Sequence, residues 1–149
     1  MDRVSLRNLV IGFIAAALAV VTAHQLMYIG VTQLGLAKLT PWSMRPVAPF
    51  GVPTIFNGIF WGGLWGILFA VVAERLPGRD YWLKGLMYGL AILVFSNWLL
   101  LPLIKGALGV PNQLLFAGGD PKRLLAGVLI LGAFGIALGI FYRLLRQRA

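Results

Sequence analysis

Four stretches of this chain, Leu9–Ala37, Thr54–Ala73, Gly85–Ile104 and Leu124–Tyr142, contain no Asp, Glu, Lys or Arg. A hydrocarbon layer about 30 Å thick takes roughly 20 predominantly apolar residues per helix, and each stretch is of that order. With 60% hydrophobic and 11% charged side chains among 149 residues, too little polar surface remains to coat a water-soluble globule. The expectation is an all-α membrane protein: a four-transmembrane-helix bundle, with residues 1–149 forming a single domain.

The remaining charges say how such a bundle sits. The formal net charge is +9, which in a soluble protein would suggest nucleic acid. Here, however, the cations mark the ends of apolar spans instead of forming one basic face, so no nucleic-acid partner is expected. With the N-terminus inside, Arg3, Arg7, Arg75, Arg79, Lys84, Arg143, Arg146 and Arg148 lie in the cytoplasm. Lys38, Arg45, Lys105, Lys122 and Arg123 lie outside. Eight against five favours N-in, C-in, in a bacterial inner membrane. The first span has the charged start of a signal peptide, but its apolar stretch is longer than a signal core, so it reads as an uncleaved helix. The absence of cysteine removes disulfides, thiolate chemistry and Cys-ligated metal centres.

Between spans one and two, Leu39–Pro53 carries four prolines, which forbid a regular helix, and Trp42 and Phe50, which suit the membrane–water interface. Glu74–Asp80 is a short charged turn, so spans two and three are expected to be antiparallel neighbours. Surface ion pairing with Arg75 and Arg79 accounts for Glu74 and Asp80. Asp120-Pro121 is a helix start, with Asp as cap and Pro in the first turn, and Pro111–Phe116 reads as a short interfacial or re-entrant helix. The halves echo one another. Leu18–Gln25 aligns with Leu90–Asn97, placing His24 over Ser96 and Gln25 over Asn97, and Gly51-Val-Pro53 resembles Gly109-Val-Pro111. Together these predict two parallel hairpin repeats, with coincidence among Leu, Ala and Gly as the alternative.

Two sets of residues stand out within the spans. Gly58, Gly62 and Gly66, with Gly85 and Gly89, and Gly135 and Gly139, recur at i+4 and form grooves that let helices approach closely. They serve either packing within the bundle or a homo-oligomer seam. His24, Gln25, Tyr28 and Thr32 fall on one arc of span one, with Asn57, Ser96 and Asn97 as candidate partners. This stripe either walls a small polar cavity or fixes helix register through interhelical hydrogen bonds. One histidine, no cysteine and no intramembrane carboxylate leave too few ligands for a metal, and no catalytic residues or cofactors are expected. Paired His24 side chains across a dimer would be the only route to haem.

Pro49–Gly66, following a span with His24-Gln25, and Phe95-Ser-Asn-Trp98 followed by Pro102–Gly106 resemble a family of small uncharacterised bacterial inner-membrane proteins with four predicted transmembrane helices. The resemblance covers most of the chain. It implies topology and, the family having no assigned activity, carries over no functional residue. Thr54, Asn57 and Gly58 are loosely similar to the Asn-containing helix of small fluoride channels, but the third span lacks the glycine-rich break those channels use. Three functional readings follow. The first is a non-enzymatic packing or accessory subunit that contacts membrane lipid and forms a homo-oligomer or joins a larger complex. The others are a small-solute or ion transporter with a polar cavity around His24, and a haem- or quinone-binding protein.

Overall fold

A computed structural model describes residues 5–48, 50–111 and 114–148. Four helices are long and apolar enough to cross a membrane: α1 (Leu6–Gln33), α2 (Thr54–Val72), α3 (Tyr81–Ala107) and α4 (Pro121–Arg148). At about 1.5 Å per residue even α2, the shortest at 19 residues, approaches the thickness of the hydrocarbon layer. Successive helices reverse direction. The start of α1 and the end of α4 therefore share one membrane face, here called the terminal face, opposite the loop face.

The helix bounds differ from the charge-free runs for identifiable reasons. Ser5 caps α1, its side chain accepting from the Asn8 amide at 3.3 Å, so α1 takes in Arg7. It ends at Gln33, not Ala37, because Gly35 turns left-handed (φ 67°) and the amides of Leu36 and Gly35 donate back to Val31 and Thr32. This is a Schellman cap hidden inside an apolar run. α3 begins four residues before Gly85 and buries Lys84, only 6% exposed. α4 starts at Pro121 as expected, with Asp120 accepting from the Lys122 amide at 2.9 Å, and it runs past Tyr142 through Arg146 to Arg148.

In the loop after α1, the strands β1 (Pro46–Val47) and β2 (Val52–Pro53) pair antiparallel, and the Thr54 hydroxyl donates to the Arg45 carbonyl at 2.8 Å. Pro49 lies outside the described residues. So do Asn112 and Gln113, which fall in the expected interfacial or re-entrant helix. The described part of that segment corrects the expectation. Leu114 is extended (φ −102°, ψ 122°), and Leu115–Gly119 is a single turn in which Phe116, Ala117 and Gly118 are all left-handed, so no right-handed helix, interfacial or re-entrant, runs through to Phe116.

Within each hairpin the glycines bring backbones into contact. A Cβ on Gly12 or Gly66 would fall on the other's carbonyl oxygen, and one on Gly85 or Gly139 would strike the backbone of the facing helix at Gly135 and Tyr81. Lipid supplies no hydrophobic drive between helices, so close van der Waals contact of this kind holds α1 to α2 and α3 to α4. Across the hairpins α1 packs on α4, where Val31 is buried with Ala126 and Ile130. The order is thus α2–α1–α4–α3. The expectation that the short turn makes α2 and α3 close neighbours is corrected. Their backbones stand apart, and large side chains fill the interval: Phe69 meets Tyr88 and Tyr142 at ring separations of 5.2 and 5.4 Å, and the Tyr88 hydroxyl donates to the Trp65 carbonyl at 2.7 Å.

The two hairpins reuse one set of positions. Gly12 and Gly85, Gly66 and Gly139, and the buried Phe69 and Tyr142 are each 73 residues apart, one more than the spacing that puts His24 over Ser96. In this register His24 corresponds to Asn97. Both odd-numbered helices also widen to π-helical turns near mid-span, at Val20–His24 in α1 and Leu93–Leu100 in α3. Gly109 caps α3 with the same bond pattern that Gly35 gives α1, Val110 to Lys105 and Gly109 to Gly106. The cap glycines are 74 apart, and the longer π stretch of α3 absorbs the extra residue. Gly109 is therefore the counterpart of Gly35. Gly51, in the β-turn, is not equivalent to it despite the shared Gly-Val-Pro.

Candidate functional site

The polar residues of α1 are gathered by the loop that follows it. Trp42, held at a positive φ of 46°, donates its backbone amide to Gln25 Oε1 at 2.8 Å and its indole N–H to the Val21 carbonyl at 2.9 Å. The Val21 carbonyl lies in the π-helical turn, where the helix departs from its ordinary ladder. Such a left-handed tryptophan is uncommon and costs free energy, which the two hydrogen bonds offset. Gln25 is buried, and its Nε2 lies 3.2 Å from His24 Nδ1, donating to it in the Nε2–H tautomer. The half-buried His24 ring packs 4.8 Å from Tyr28 and edge-on to Phe134 of α4 at 6.2 Å. Thr32 is exposed, and its hydroxyl both accepts from the Leu39 amide at 3.2 Å and donates to the Leu39 carbonyl at 3.3 Å.

Of the four residues in the predicted polar stripe, the structure therefore links His24, Gln25 and Tyr28 directly and assigns Thr32 to the end of α1. Asn57 and Asn97 are half-buried and Ser96 is buried, on α2 and α3. None of the three is hydrogen-bonded to His24 or Gln25 among the described residues. Two surface clefts among the described residues lie elsewhere, one between α1 and Ile67 and the other between the start of α3 and the end of α4. All seven glycines singled out for packing sit on helices of this bundle. Gly58 and Gly62 face Val20, Gly66 faces Gly12, and Gly85, Gly89, Gly135 and Gly139 close the α3–α4 seam.

A second polar cluster, at the terminal face, escaped sequence reasoning. Glu74 accepts from the Tyr81 hydroxyl at 2.6 Å and from Arg146, whose Nη1 also donates to the Tyr81 oxygen at 2.7 Å. The Arg146 guanidinium sits 5.6 Å from the Tyr142 ring, and the Lys84 ammonium 5.1 Å from Tyr81. The hydrogen bond from Tyr81, then that from Arg146, holds the Glu74 carboxyl below its usual range. The tie is thus fully present at neutral pH and is lost as pH falls through that lowered value. The expected pairing of Glu74 with Arg75 is corrected: Arg75 instead donates to the Val71 carbonyl at 2.7 Å. The true partner is 72 residues away, a separation at which sequence carries no local signal.

Four apolar helices with paired polar groups between them define a multi-pass membrane protein built as a helical bundle. Comparison with family models, with curated proteins and with solved structures finds no match for the chain.

Proposed function

We propose that this is a non-enzymatic subunit of a membrane assembly, set in a bacterial inner membrane with both ends cytoplasmic, which contacts another membrane-spanning chain through the outer end of α3. One observation carries the reading. The chain uses its glycine seams internally, yet leaves the last two turns of α3 uncovered. Leu101, Leu103 and Ile104 are exposed, nothing lies within 4 Å of a Cβ placed on Gly106, and the apolar surface continues through Leu108 and Val110. Small and branched residues on an open helix end allow close approach by a partner helix. The excess of Lys and Arg at the terminal face supports its cytoplasmic placement.

Native mass spectrometry of protein extracted gently from its own membrane tests this. Wild type is expected to carry a second copy or a distinct subunit. The double substitution Leu103→Ala, Ile104→Ala, at exposed positions that leave the bundle core intact, is expected to release it. A wild-type monomer without partner, or an assembly indifferent to the substitution, overturns the proposal. A second reading, passage of a small solute, draws on the π-helical turns that widen α1 at His24 and α3 at Ser96 and Asn97. It requires Trp42 to leave Gln25 and Val21. Solute-dependent swelling of proteoliposomes would put it ahead of assembly, and impermeable vesicles would dismiss it.

A further inference from the structure

At the terminal face the first turn of α3 and the last turns of α4 enclose a cleft of about 250 Å³ lined by Tyr81, Trp82, Ile140, Arg143, Leu144 and Gln147. On α4 these residues recur at i, i+3, i+4 and i+7, so one face of the helix supplies them. Ile140 and Leu144 form an apolar row, and Arg143 and Gln147 form a polar row beside it. Trp82, 45% exposed, closes the opposite wall at a depth suited to tryptophan in the headgroup region.

The polar groups here are uncommitted. Arg146, one turn further on, is engaged by Glu74 and Tyr81. Arg143 has no hydrogen bond or ion pair among the described residues, and neither the Trp82 indole nor the Gln147 amide has a partner there. An apolar row flanked by an unpaired guanidinium, an indole N–H and an amide complements one class of molecule. Such a molecule has an acyl chain and, at its end, a phosphate with hydroxyl groups. Arginine suits that role because its planar fork binds phosphate oxygens in pairs.

We propose that this cleft is a binding site for an anionic phospholipid, with the phosphate on Arg143, the headgroup hydroxyls on Gln147 and Trp82, and an acyl chain along Ile140 and Leu144. The proposal is independent of the assembly reading, which concerns the opposite face.

The test is native mass spectrometry of the full chain in detergent micelles titrated with phosphatidylglycerol or phosphatidylcholine of identical acyl chains. Phosphatidylglycerol is expected to be retained about fivefold more strongly, the discrimination one well-placed cation gives at a membrane surface. Arg143→Gln is expected to abolish that preference. Arg148→Gln, which removes the same charge outside the cleft, is expected to preserve it, and added inorganic phosphate is expected not to displace the lipid. Equal retention of the two lipids overturns the site. Loss of preference in both variants shows general charge attraction and overturns it as well. Displacement by inorganic phosphate means that a free anion, not a lipid, occupies Arg143.

Discussion

Replacing Gly85 with valine is expected to cost about 3 kcal/mol or more and to separate α3 from α4, because the clash is with backbone. The Cβ of any residue at this position falls on the Gly135 carbonyl oxygen and within 2.9 Å of the Gly139 amide nitrogen. No rotamer relieves such a contact, so the helices must move apart along the seam that also holds Gly89. At Gly62 the first obstacle is the Val20 side chain, which can shift, so Gly62→Ala should cost less than Gly85→Val. Gly106→Ala, with open space around it, should lie within about 0.5 kcal/mol of wild type, as surface substitutions usually do. Thermal unfolding in detergent measures all three. Equal melting temperatures for Gly85→Val and wild type would show that the α3–α4 seam is not as described.

Phe69→Ala is expected to cost about 2–3 kcal/mol. Phe69 is fully buried on α2 and touches Tyr88 of α3 and Tyr142 of α4, so it joins three helices where two backbones stand apart. In water the cost of such a truncation runs to about 3–5 kcal/mol and combines a transfer term with a cavity term. In lipid the transfer term largely drops out, because the unpacked side chain would still lie in hydrocarbon. The cavity and the lost ring contacts remain, which sets the lower figure. Phe60→Ala, at a lipid-exposed position of the same helix, is the matched control and should be near neutral in the same melting experiment. A destabilisation no larger than that of Phe60→Ala would remove Phe69 from its central role.

The spans were legible because Asp, Glu, Lys and Arg are excluded from hydrocarbon by a large desolvation cost, so each charge-free run marks a crossing. Helix ends were less so. Gly35 caps α1 through its backbone conformation, to which hydropathy is blind, and α4 outruns its charge-free stretch because Arg146 finds Glu74 and Tyr81 within the fold. Glycine spacing identified the packing faces but not their pairing. A short α2–α3 turn suggests adjacency, whereas the bulk of Phe69, Tyr88 and Tyr142 holds those helices apart. In the candidate site, the link from Gln25 to Trp42 depends on a loop folding back over 17 residues, and no periodicity encodes it. The internal repeat was visible at the wrong register, since alignment of Leu- and Ala-rich segments has little to anchor it. Glycines in backbone contact supply that anchor.

The central claim is the helix order α2–α1–α4–α3, from which both the uncovered end of α3 and the terminal-face cleft follow. A chain without cysteine allows paired substitutions to be read without background. The most direct measurement is disulfide formation in native membranes for Val31→Cys with Ala126→Cys, compared with Phe56→Cys with Leu100→Cys. The first pair, on the buried face where α1 meets α4, is predicted to cross-link rapidly, and the second, on the outer halves of α2 and α3, to remain reduced. Cross-linking of the second pair without the first would place α2 against α3 and contradict the order.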